Sequence, residues 1–114
     1  MFIDAPKTGI LGYLGYTVEQ KANLSPSERR TILTQVFKSK LPNINSAEYM
    51  QEWGSPNSKE RLKKMADSLA WFCRSQKKKG NDNAASRYEE DLKWLRKTFY
   101  SGRYNFRWAQ SYVE

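Results

Sequence analysis

Seven cations crowd one stretch of the chain: Lys59, Lys63, Lys64, Arg74, Lys77, Lys78 and Lys79. Ammonium and guanidinium groups at that density attract phosphates, and each phosphate contact releases counterions and makes binding salt-dependent. Little local acid answers them. Residues 57–79 carry eight basic and two acidic side chains, +6 of the chain's net +8, and the two acids are Glu60 and Asp67. An ordinary solvated face mixes the signs. The competing reading is a solubilising helix, since lysines near a helix C-terminus are favoured by the macrodipole alone. A second set lies at the C-terminus, where Arg103 and Arg107 alternate with Tyr104, Phe106 and Trp108. Such aromatics can stack on unpaired bases, or they can cover a helical core and leave the arginines wet. Arg29 and Arg30 could join the same surface.

Catalytic constellations are scarce. The chain has no histidine, which removes imidazole acid–base catalysis, Ser–His and Cys–His nucleophile systems and nearly all transition-metal sites. The glycines at 9, 12 and 15 fit neither a phosphate loop nor a dinucleotide fingerprint. Asp4 with Glu19 and Lys21 spells the D…ExK pattern of Mg²⁺-dependent nucleases, but that chemistry needs a multi-stranded sheet to bring the three together. Cys73, the one cysteine, falls on the apolar side of a helical pattern, as a small buried hydrophobe would. No cofactor, metal or small-molecule substrate is expected, and the protein is read as a non-enzyme.

Helices must position these groups. Ser25, Pro26 and Glu28 form a capping-box start, and Ile32, Leu33, Val36 and Phe37 give one apolar stripe, so a helix is expected over 25–40, ending at Leu41-Pro42. A short helix follows over 45–53, capped by Asn45 with Glu48 and closed by Gly54, with Tyr49, Met50 and Trp53 inward. The longest covers 57–79, capped by Asn57 with Glu60. It buries Leu62, Met65, Ala66, Leu69, Phe72 and Cys73. A helix over 83–100 carries Tyr88, Leu92, Leu95 and Phe99 on one face, with a Glu89–Lys93 pair at i, i+4. Residues 9–18 are a glycine-rich element. A short helix packed close to a neighbour is preferred, with a strand as the alternative, because each glycine costs a helix interior about 1 kcal/mol. Tyr13 and Tyr16 are read as packing residues. Residues 101–114 form an extended arm whose Tyr104, Phe106 and Trp108 share one side.

At 114 residues the chain is read as a single domain, 1–114. Aromatics at 14% are too many for a disordered chain, although the mean hydropathy of −0.87 is very polar. No apolar run approaches the roughly 20 residues of a membrane span, and the N-terminus does not read as a signal peptide. With no possible internal disulfide, a cytoplasmic protein without membrane partners is expected.

"GYLGYTV", "SERRTIL", "YMQEWGSPNSKERLKKMADSLAWFCR" and "YEEDLKWLRKTFY" together resemble a small bacterial helical module with the pattern E-R-R-x-I-L, W-G-x-P-x-S, R-L-x-K and D-L-x-W-L. The resemblance covers about residues 10–108 and is associated with nucleic-acid-processing or mobile-element proteins. It implies that Trp53-Gly54, Arg61-Leu62 and Asp91-Leu92 are framework positions, and it supplies no catalytic residue. The expected fold is all-α, a compact bundle of four to five helices with an extended aromatic C-terminal arm. The expected function is a nucleic-acid-binding accessory module that meets phosphate backbone through its basic helix. The alternative is a protein–protein adaptor or inhibitor, phage- or plasmid-encoded, docking on an acidic or nucleic-acid-binding surface of a larger bacterial complex.

Overall fold

The computed structural model describes residues 2–7 and 9–113. Five α-helices follow in order: α1 (Gly9–Tyr13), α2 (Pro26–Lys38), α3 (Ala47–Trp53), α4 (Lys59–Lys78) and α5 (Asp82–Leu95). A 3₁₀ turn at Gln20–Ala22 precedes α2, and a π-helical turn at Arg96–Tyr100 extends α5. No strand forms among the described residues beyond one isolated parallel bridge between Ile3 and Ile44. The all-α bundle is therefore the architecture of this chain. Its radius of gyration of 13.8 Å matches the roughly 13 Å of a packed domain this long. No described helix is long and apolar enough to cross a membrane.

Local chemistry explains most boundaries. The Ser25 hydroxyl accepts from the Glu28 N–H at 3.1 Å while the Glu28 carboxylate accepts from the Ser25 N–H at 3.0 Å, closing the capping box. The two backbone and hydroxyl bonds to Ser25 hold the Glu28 carboxyl below its ordinary pKa. The next two caps fall one residue later than expected. Ser46, not Asn45, accepts from Tyr49 N–H, and Ser58, not Asn57, accepts from Arg61 N–H. Asn57 is drawn instead into the left-handed region at φ 63°, where its N–H reaches Phe37 O at 2.8 Å. Gly54 ends α3 at φ 64°, and a Cβ there would sit 2.8 Å from Glu60 Cβ, so the α3–α4 turn requires glycine.

Helices α4 and α5 form the central antiparallel hairpin, with α3 packed on α4 and α2 packed on both. Leu62, Met65, Ala66 and Leu69 of α4 are buried against Leu33, Val36 and Phe37 of α2 and Leu92 and Leu95 of α5, and Cys73 is buried with its thiol donating to Ala85 O at 3.3 Å. Burial raises the Cys73 thiol pKa, as an inert core cysteine requires. The glycine-rich element is shorter than expected. Gly9, at φ 77°, opens the helix, and Gly15, at φ 96°, turns the chain away after it stops at Tyr13. Tyr16 is buried, whereas Tyr13 is exposed. At the other end α5 does not run regularly to residue 100. The bond from Ser101 N–H to Arg96 O marks a π turn, which inserts one residue. That offset sends Phe99 onto Phe37, 4.6 Å between centroids, and Tyr100 onto Phe106 and Trp108, at 4.9 and 4.7 Å.

Two arginines organise the interior. Arg61 is 1% exposed and has no carboxylate partner among the described residues. Its guanidinium donates to Trp53 O at 3.0 Å, Gly54 O at 2.9 Å, Val36 O at 2.5 Å and Ser39 O at 2.8 Å. These carbonyls are the orphan acceptors at the C-terminal ends of α2 and α3, where the helix dipoles place negative potential. One side chain therefore caps two helices. Burial lowers the Arg61 pKa, and the carbonyl cage compensates the charge. Arg29 is the second. Its Nε and Nη2 donate to Asp91 at 2.7 and 3.3 Å, and Tyr16 Oη donates to the same carboxylate at 2.7 Å. Burial disfavours the Arg29 charge, but Asp91 outweighs it and raises the pKa. Burial, then the Asp91 charge, pushes the Tyr16 phenol far above its ordinary value.

Candidate nucleic-acid interface

The arm is laid on the helices, as its alternation predicts. Tyr104, Phe106 and Trp108 are half-buried while Arg103, Asn105 and Arg107 are exposed. It starts near the first turn of α4, where Tyr104 Oη donates to Asn57 O at 3.1 Å. It ends near the last turns, where Arg74 donates to Gln110 O and Lys77 donates to Ser111 O at 2.9 Å. Ser111 Oγ donates to Glu89 at 2.9 Å, tying the arm to α5 as well. That bond, more than the neighbouring lysines, holds the Glu89 carboxyl below its ordinary pKa. The arm therefore runs alongside α4 over its seam with α5.

The seven cations of the basic stretch do not form one free strip. Lys64 turns towards α3 and pairs with Glu52 at 3.0 Å, and Lys63 pairs with Asp67 at 3.0 Å along α4. Lys77 lies 3.7 Å from Glu89, which takes the place of the expected Glu89–Lys93 pair. Arg74 and Lys77 also spend donors on the arm. Lys59, Lys78 and Lys79 stay exposed, with no carboxylate within 4.0 Å among the described residues, and the same holds for Arg107. Arg103 is exposed and donates to Thr98 O at 2.6 Å. Arg29 does not belong to this surface, because it is buried on Asp91. Arg30 is held by Glu90 at 3.6 Å and over Trp94 at 5.8 Å.

The arm replaces part of what those pairs remove. Shallow clefts flank it, with Gln110 a wall of all three and Trp108 a wall of two. One is lined by Lys63, Arg74 and Arg107, one by Lys93 and Arg96, and one by Arg74, Lys78 and Tyr112. The acids on these clefts are Asp67 and Glu89, both already engaged. In sequence Lys93 was legible only as the i, i+4 partner of Glu89 and Arg96, in the π-helical turn, only as a cation late in the helix, because nothing local shows that the arm faces them. On the far edge of α4 lies a different feature, a groove of about 510 Å³ walled by Tyr49, Trp53, Trp71 and Phe72, with Lys7 and Lys64 on its rim. Trp71 is 59% exposed there.

The nuclease pattern finds no scaffold. Glu19 and Lys21 form an exposed pair at 3.6 Å on the 3₁₀ turn, and Asp4 lies on a segment bridged to Ile44, not in a sheet. No group of three potential metal ligands occurs among the described residues. No protein-family model, curated protein or solved structure matches the chain.

Proposed function

We propose that the chain is a cytoplasmic, non-enzymatic accessory module that holds nucleic-acid backbone against the surface formed by α4, the end of α5 and the C-terminal arm. The observation that carries this reading is the set of cations lining clefts on both sides of the arm: Arg74, Lys78, Lys93, Arg96 and Arg107, none within 4.0 Å of a carboxylate among the described residues. Cations without counterions keep their long-range field and attract a polyanion. The outer ridge of α4 offers exposed Lys63, Asp67, Trp71 and Lys78 with half-buried Arg74, a set whose cations suit phosphates and which lacks the amide side chains that read base edges. The motif resemblance to bacterial nucleic-acid-processing modules points the same way.

Lys78 and Arg107 are exposed and their side chains serve no bond among the described residues, so the double variant K78E/R107E tests the surface without touching the core. Anisotropy titration of a labelled oligonucleotide at low salt should show it at least about tenfold weaker than wild type. Equal affinity, or no wild-type binding, would end the proposal.

The second reading, an adaptor docking on an acidic protein surface, is favoured by the apolar groove beside Trp71, because exposed aromatics in a concave site serve as interface anchors. Co-purification of a stable protein partner lost on mutating the groove, with no nucleic acid bound, would decide for it.

A further inference from the structure

Trp71 joins the groove to the cationic ridge of α4, and neither packing nor solubility explains an indole 59% exposed at that point. Its ring meets Phe72 edge-on at 5.8 Å, which leaves a face for another plane. Arg74 and Lys78 follow it at i+3 and i+7 on the same side of the helix, roughly 4.5 and 10.5 Å along the axis. Behind the indole, Tyr49 and Phe72 wall the groove. Trp53 closes the floor of the groove and is 3% exposed. Of the charged residues lining the groove, Lys7 has no carboxylate partner among the described residues, Lys64 is balanced by Glu52, and Asp67 is held by Lys63 at 3.0 Å.

An exposed stacking face at the mouth of an aromatic groove and cations spaced along one side match an unpaired nucleotide strand. A base lies on the aromatic, and the following phosphates meet the cations. A duplex keeps its bases stacked on each other and can use only the cations. Building on the backbone-binding reading above, we infer that the groove beside Trp71 seats an unpaired base of a single strand whose phosphates run along α4 to Arg74 and Lys78. Stacking and phosphate contact are blind to the sugar, so deoxyribose and ribose strands bind alike.

The test uses the full chain with fluorescein-labelled oligothymidylate and oligouridylate of about 12 nucleotides, within the usual site size for single strands, and a duplex of the same length. W71A should weaken both single strands about 5- to 150-fold, the range of one lost stacked base, and leave duplex affinity unchanged. W71F should recover part of the loss, and it guards against misfolding of W71A, which circular dichroism would reveal. Single-strand affinity unchanged in W71A, or lost equally for single strand and duplex in a folded W71F, overturns the inference while leaving backbone binding in place. Absence of wild-type binding to all three probes removes both.

Discussion

Replacing Arg61 with methionine tests how the interior holds together. The guanidinium makes four hydrogen bonds, and those to Trp53 O and Val36 O are buried while those to Gly54 O and Ser39 O are partly buried. A buried acceptor left unsatisfied costs about 1–3 kcal/mol, so the two buried carbonyls together cost about 2–6 kcal/mol. The partly buried pair can recover water. Removing the charge also relieves the several kcal/mol or so of desolvation that a buried cation carries, which offsets part of the loss. The expected net destabilisation is about 2–4 kcal/mol, a large share of the roughly 5–15 kcal/mol that holds a domain of this kind. Urea unfolding followed by circular dichroism should show a lower midpoint with an unchanged slope. R61K keeps the charge but lacks the planar fork, and it should fall between the two. If R61M lies within about 0.5 kcal/mol of wild type, or R61K matches wild type, Arg61 does not bind the two helix ends as described.

Asp91 accepts from both Arg29 and Tyr16 inside the core, so D91N strands a buried guanidinium and should cost about 3–5 kcal/mol. R29M/D91L, which removes both charges, should recover much of it in a double-mutant cycle. Stability should also fall at alkaline pH. Tyr16, Tyr88 and Cys73 all have pKa values raised by burial, so the folded state keeps protons that the unfolded chain releases. Their contribution is complete below the unfolded values of roughly 9 and 10 and is lost as pH rises above them, with a slope of up to about 1.4 kcal/mol per pH unit for each group. Urea midpoints between pH 8 and 11 check this, and Y16F should flatten the decline.

What the sequence revealed was local. The capping box at Ser25, the apolar stripes of α2, α4 and α5, the buried Cys73 and the alternating arm all follow from spacing within one element, and each is present. Cap positions were less well defined, since Asn45 and Ser46, or Asn57 and Ser58, are equally good caps until a distant partner such as Phe37 O chooses between them. The π turn after Leu95 has no pattern of its own; it answers the need to bring Phe99 and Tyr100 to different neighbours. Long-range electrostatics could not be read at all. Asp91 lies 62 residues from Arg29 and 75 from Tyr16, and Arg61 works on carbonyls, which every residue has. For the same reason the basic stretch looked freer in sequence than it is, because Glu52 and Glu89 reach Lys64 and Lys77 from other helices. The cations across the arm from Arg107, Lys93 and Arg96, became visible as lining an adjoining cleft only once the chain was folded.

The decisive measurement is the dependence of oligonucleotide affinity on salt. About four to six phosphate contacts along the arm and α4 give a plot of log K against log salt with a slope of roughly −3 to −4 for a single strand, and K78E/R107E should make it shallower by about 1.4. A slope near zero, or no binding at low ionic strength, would contradict the role assigned to this surface.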